Sequence, residues 1–249
     1  MWRMEQSTAL WHSERFFASV DLTRPFEGIR QARFRRASLD GAQLMQVAVP
    51  TRARGLSERV EDAYVRGPDL IVTYAETTQS PVRPQVCWRI LDQPLTSPGI
   101  VVEAIVSTQT RWLDSDPRIQ IASAIPGREW LLLAGDATTS GFRPIVWEDA
   151  SSRMVEVSPA GTAFLARIPA SANSYGHVVV ANDLLGAHLI WDPVHHVTTL
   201  SAMFFGGRLE KGILRRVRSR AILVPRERDE ELLAELLMTS LAAAPPLTA

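Results

Sequence analysis

Five histidines, His12, His177, His188, His195 and His196, are the residues of this sequence best suited to acid–base or metal chemistry. His195 and His196 are adjacent, and neighbours on a strand point to opposite faces, so the pair is not expected to ligate one ion. No cysteine cluster or His-x-x-x-His spacing backs them, and no metal is expected. His177 and His188 flank what reads as a hairpin, which would bring two titratable rings near each other. Among seven tryptophans, an indole exposed on a sheet face would offer a flat apolar platform for a sugar ring. Trp191, beside Asp192 and shortly after His188, is the first choice. Arg66, Asp69 and Glu210 stand near turns, where they could hydrogen-bond a polyhydroxylated ligand or simply stabilise the turns. Arg216, Arg218 and Arg220 alternate with apolar or small residues, so all three should project from one face. That face is either a solvated outer surface or the wall of a cleft for an anionic or polyhydroxylated ligand. No P-loop, zinc-ligand cluster or nucleophile elbow accompanies these groups, and no cofactor is expected.

The elements that must position them are strands. Residues 175–225 read as consecutive strands of one large antiparallel sheet. Within them, 177–181 (HVVVA) and 188–191 are β-rich runs separated by the turn residues Asn182, Asp183 and Gly186, hence the expected hairpin. A further run covers 194–205, Gly206-Gly207 can turn the chain, and 213–224 forms a long last strand ended by Pro225. Earlier segments continue the pattern at similar intervals, among them 15–23, 29–35, 43–49, 70–75, 85–91, 99–108 and 119–124. The Asp40-Gly41 pair and the 66–69 turn read as hairpin signals. About a dozen short strands separated by Gly, Pro, Asp and Asn predict an all-β protein, a large antiparallel β-sandwich, and no linker divides the chain, so 1–249 is expected to be a single domain. Residues 227–243 differ: Leu232, Leu233, Leu236, Leu237 and Leu241 recur at helical spacing behind an acidic first turn, predicting a C-terminal α-helix packed on the sheets.

Composition narrows the function classes. Positive and negative residues number 27 each, so no global field draws the 249-residue chain toward nucleic acid or anionic lipid, and neither partner is expected. Lys211 is the single lysine, an arginine bias that needs no phosphate ligand to explain it. Cys87, the one cysteine, excludes an intramolecular disulfide and reads as a small buried hydrophobe. No window approaches the ~18 apolar residues of a membrane span, nor the h-region of a signal peptide, so a cytoplasmic protein is expected.

One series carries a family likeness. His177, a strand, then Asn182, Leu184, Gly186, His188 and Leu189, followed by Leu209-Glu210-Lys211-Gly212 before the final strand, resembles the galactose mutarotase-like (aldose 1-epimerase-like) supersandwich proteins over about the last third of the chain. The resemblance implies a carbohydrate ligand. It also implies, for a catalytic member, His177 or His188 as acid and Glu210 as base in opening and closing a pyranose ring. Gly176 stands where the family's motif places an asparagine before its histidine. The expectation is therefore a carbohydrate-binding-like sandwich without catalysis, with ligand contacts from Trp191, Asp192, Arg66 and Arg218. An aldose 1-epimerase-like isomerase, or a structural or protein-interaction domain, are the alternatives.

Overall fold

A computed structural model describes residues 1–50, 58–78, 81–91, 99–134, 141–147 and 151–244. Alternation of apolar and polar side chains at a period of two builds its strands. In chain order these begin with β1 (Trp2–Glu5), β2 (Thr8–His12), β3 (Phe16–Asp21), β4 (Ile29–Phe34), β5 (Ala37–Ser38) and β6 (Gln43–Ala48). Next come β7 (Val60–Arg66), β8 (Asp69–Tyr74), β9 (Arg83–Leu91), β10 (Ile100–Gln109), β11 (Ile119–Pro126), β12 (Trp130–Ala134) and β13 (Arg143–Pro144). The series ends with β14 (Ser152–Val155), β15 (Thr162–Arg167), β16 (Asn173–Val179), β17 (Leu184–Asp192), β18 (Val197–Phe204) and β19 (Arg215–Pro225), before one helix, α1 (Asp229–Ala242). Strand accounts for 56% of the described residues and helix, two short 3-10 turns included, for 9%, an all-β protein as expected. No helix among the described residues is long and apolar enough to cross a membrane.

Two antiparallel sheets share these strands. Sheet 1 runs β1-β2-β3-β4-β6-β11-β18-β17-β14 with β5 beside β4; sheet 2 runs β13-β12-β15-β16-β19-β10-β9-β8-β7. Their inner faces enclose one apolar core, in which Phe16, Phe34, Leu44 and Leu200 of sheet 1 meet Trp88, Phe164, Tyr175 and Leu223 of sheet 2.

The topology overturns the reading of 175–225 as one sheet. β16 and β19 belong to sheet 2, while β17 and β18 belong to sheet 1. The Asn182-Asp183 turn therefore carries the chain from one sheet to the other, and no hairpin joins His177 to His188. Turn residues mark a reversal of direction, but a reversal onto the opposite sheet uses the same chemistry as a hairpin. After β4 the chain turns twice: at Arg35-Arg36, both with left-handed φ (50° and 69°), to pair β5 with β4, and at Asp40-Gly41, where Ala42 N donates to the Leu39 carbonyl (2.9 Å), to lead into β6 as read. The 66–69 hairpin forms as read, Arg66 pairing with Asp69. β1 and β2, which the sequence pattern did not separate from coil, extend sheet 1 at its edge.

The outer face of sheet 2 is divided. Over one half lies α1, whose Leu232, Leu233, Leu236 and Leu237 pack on Leu131, Leu165, Val178, Ile222 and Val224. Gly176 makes this close: a Cβ built there would lie 2.6 Å from Leu233 Cδ1. The helix start is fixed by Asp229, 3% exposed, which accepts hydrogen bonds from Arg167 Nε (3.1 Å) and Ser174 Oγ (2.8 Å). Across the other half the strands are polar outward, and there the candidate site lies.

Candidate binding face on sheet 2

β19 has two characters. In its second half Ile222 and Val224 face α1; in its first half Arg216, Arg218 and Arg220 face outward while Val217, Ser219 and Ala221 point into the sandwich. The parity read from the sequence holds, and cross-strand register gives it partners. Arg66 of β7 lies opposite Asp69 of β8, Asp69 opposite Arg89 of β9, Arg89 opposite Glu103 of β10, and Glu103 opposite Arg220 of β19. A single row of alternating charge thus crosses five strands.

Its geometry is tight where the acids are buried. Arg89 donates to Asp69 through two nitrogens (Nε to Oδ1 2.6 Å, Nη2 to Oδ2 2.8 Å), the bidentate arrangement that favours arginine. Glu103, 1% exposed, accepts from Arg220 Nε at 2.6 Å and lies 3.5 Å from Arg89 Nη1. Arg66 sits at the open end, 3.9 Å from Asp69. The hydrogen bond to Asp69 holds the Arg89 guanidinium charged well beyond its ordinary range.

Beside the row is a hollow of about 460 Å³. β19 supplies Arg216, Arg218 and Arg220; the turn after β16 supplies Asn182 and Asp183; the end of α1 supplies Ser240, with Val178, Val180 and Leu241 as apolar wall. Asp183 has left-handed φ (57°), a conformation aspartate tolerates, and its carbonyl accepts Phe205 N at 2.9 Å, which holds the turn in place. Arg216 Nε donates to Ser107 Oγ (2.7 Å) and Arg220 Nη1 to Ser240 Oγ (3.3 Å). Arg218 Nη2 donates to the Ala244 carbonyl at 3.2 Å. Burial, then the neighbouring Arg220, lower the pKa of Arg218; burial lowers that of Arg216. The hollow therefore offers fixed N–H donors on one side, an amide and a carboxylate on another, and aliphatic surface between them. A narrower cleft of about 270 Å³ beside Phe26, Val49 and Tyr74 is mostly apolar, and its Gln46 and Gln120 amides already donate to Gln43 and Ser201.

The sequence-predicted residues are scattered. Arg66 and Arg218 share the outer face of sheet 2. His177 is wholly buried between the sheets. Tyr175 Oη gives its proton to Ser123 Oγ (2.7 Å), so His177 Nδ1–H donates to Tyr175 (2.9 Å) and Nε2 accepts from Ser219 Oγ (2.7 Å). Burial lowers the His177 pKa to about 3 and raises that of Tyr175. This imidazole is neutral and reaches no solvent-borne ligand. His188 stands half-exposed on sheet 1, opposite Ser201 and Met154, with its flanking Ala187 and Leu189 in the core, so it faces away from sheet 2. Glu210 is exposed in the loop before β19 and does not line the hollow. Trp191 lies at the end of β17, flanked by the His196 ring (centroids 6.0 Å apart) and the Arg128 guanidinium (5.8 Å), which also lies over Trp147 at 5.7 Å. Asp192 holds the following turn, accepting Val194 N (2.8 Å), His195 N (3.1 Å) and His195 Nδ1 (2.6 Å), and these bonds lower its pKa, the one from the His195 ring most. Cys87 is half-buried on the outer face of sheet 2, beside Arg89, rather than in the core as expected, and burial still pushes its thiol up to about 12.

Asn182, Asp183, Ser240 and the Arg89–Glu103 pair escaped the sequence reading. The first two had a local reading, as turn formers, that fully accounted for them; Glu103 and Arg89 carried the parity signal of β9 and β10 but no clue to their register.

No family model and no curated protein matches the sequence. Solved structures do match in shape. A galactose mutarotase related enzyme from Lactobacillus acidophilus superposes with a TM-score of 0.58 over 87% of this chain and 96% of its own, at 6% identity. A galactose mutarotase-like protein from Lactobacillus casei gives 0.52 over 87% and 99%, at 10% identity. The fold is thus that of the galactose mutarotase-like sandwiches across most of the chain, well beyond the last third in which the sequence carried the likeness.

Proposed function

We propose that this chain, built on the galactose mutarotase-like fold, binds a carbohydrate in the hollow on the outer face of sheet 2 and acts as a binding protein rather than an isomerase. The observation that carries the reading is the composition of that hollow: guanidinium donors, an amide and a carboxylate set around aliphatic side chains, the mixture a polyhydroxylated ring with polar edges and apolar C–H faces requires. An isomerase working through histidine and Glu210 draws no support from this geometry, since His177 is enclosed, His188 faces away on the other sheet, and Glu210 is not part of the lining. The balance of acidic and basic residues gives no reason to add nucleic acid or a membrane as partner.

Isothermal titration with a panel of neutral and acidic monosaccharides tests the reading. Saturable binding is expected, weakened about tenfold or more when Asn182→Ala and Asp183→Asn remove hydrogen-bonding groups, each worth about 1 kcal/mol or more. Polarimetry with a pure anomer should show no acceleration of its equilibration. Binding unaltered by both substitutions would remove the hollow from consideration, and accelerated anomer exchange would restore the isomerase.

A further inference from the structure

The positive charge on this face is not all answered from within. Glu103 is shared by Arg89 and Arg220, and Asp69 by Arg66 and Arg89. Arg218 forms no ion pair among the described residues; of the charges that reach it, Arg220 and Arg89 oppose its own and Glu103, already shared, favours it. Its hydrogen bond among the described residues goes to one backbone carbonyl, that of Ala244 past the end of α1, at the long distance of 3.2 Å. A helix C-terminus supplies about half an elementary charge at most, so a whole guanidinium charge is only partly offset there. The guanidinium is half-buried, lies next in the alternation to Arg220, and still has N–H groups to spare on the hollow side. Leaving a partly desolvated cation uncompensated costs free energy, and an anion placed against it would recover that cost.

We infer that the saccharide taken by this site carries an anionic substituent, a carboxylate, sulfate or phosphate, and that Arg218 is the residue that recognises the charge. The inference rests on the sugar-binding reading above and deepens it. It also fixes an orientation. Asp183, in the turn after β16, repels an anion, so the charged group lies against Arg216 and Arg218 of β19 while ring hydroxyls face Asn182 and Asp183.

The test compares galactose, galacturonate, galactose 6-sulfate, galactose 6-phosphate and inorganic sulfate as calorimetric ligands for the intact protein, Arg218→Ala and Arg218→Lys. At least one acidic sugar should bind about tenfold to a hundredfold more tightly than galactose, the range of a charge-assisted hydrogen bond, and more weakly as salt is raised. Arg218→Ala should erase that preference, weakening the acidic sugars far more than galactose; Arg218→Lys should retain part of it. The three acidic sugars separate carboxylate from sulfate from phosphate. Equal affinity for galactose and every acidic sugar, or equal weakening of all of them by Arg218→Ala, overturns the charge recognition and leaves the sugar site standing. Arg218-dependent binding of inorganic sulfate without any sugar keeps the anion site and removes the sugar. Silence from every ligand removes both.

Discussion

His177 shows how far a residue's role depends on the sheet behind it. In isolation it is a titratable group beside turn chemistry; in the fold it is the middle of a buried relay from Ser219 through Tyr175 to Ser123, which itself accepts Met45 N at 3.0 Å and so ties sheet 2 to sheet 1. Its pKa is lowered from 6.5 to about 3 by burial. A folded pKa below the unfolded one means that, between these values, the unfolded chain takes up a proton the native state refuses. Stability from this group is therefore complete above about pH 6.5 and is lost as pH falls toward about 3, at up to about 1.4 kcal/mol per pH unit. His177→Gln should cost about 1–3 kcal/mol at neutral pH, because Tyr175 and Ser219 lose a well-placed partner, and the deficit should shrink on acidification. Urea unfolding of both proteins between about pH 7 and pH 4 decides it; parallel stability curves would contradict the assignment of a neutral, desolvated imidazole.

Among the elements, α1 links stability to the site, because the helix whose leucines cover Gly176 also delivers Ser240 and Leu241 to the hollow. A valine side chain at Gly176 would have its first carbon 2.6 Å from Leu233 Cδ1 and 2.9 Å from Ile222 Cγ2, so Leu233 must move. Gly176→Val should therefore loosen the helix at a cost of about 1–3 kcal/mol and expose Arg226 and Arg228, just before it, to trypsin. An unchanged digestion rate and melting temperature would mean that the sheet, not the glycine, sets the helix position. The elements themselves were largely legible. Period-two alternation found most strands, and the leucine spacing set the helix at 227–243 against an observed Asp229–Ala242. What alternation cannot carry is partnership: it says which side chains share a face, not which strand lies beside which. That is why Arg216, Arg218 and Arg220 were found as one face, whereas the row from Arg66 to Arg220 and the meeting of Asn182 with Ser240 required pairings between distant segments. The histidine pair failed for the same reason, since a turn was read as a hairpin when it crossed between sheets.

At the scale of the whole molecule, the two sheets are assembled on different schedules along the chain. All ten strands of sheet 1 lie within residues 2–204, whereas sheet 2 needs β19, residues 215–225, in its interior between β10 and β16. A chain emerging from the ribosome can thus pair every strand of sheet 1 while sheet 2 remains two fragments, with a slot about 10 Å wide, twice the strand spacing, between them. Both lips of that slot, β10 with Val101, Val102 and Ala104 and β16 with Tyr175 and Val178, are apolar edges of the kind that recruit foreign strands. A fragment of residues 1–214 should accordingly aggregate when expressed alone and become soluble when residues 215–249 are supplied as a separate chain. Cooperative unfolding of the fragment by itself would show that the slot closes without its strand. The arginine face is therefore completed only when the sheet is: until β19 docks, a nascent chain presents Arg66 and Arg89 but none of Arg216, Arg218 and Arg220 there.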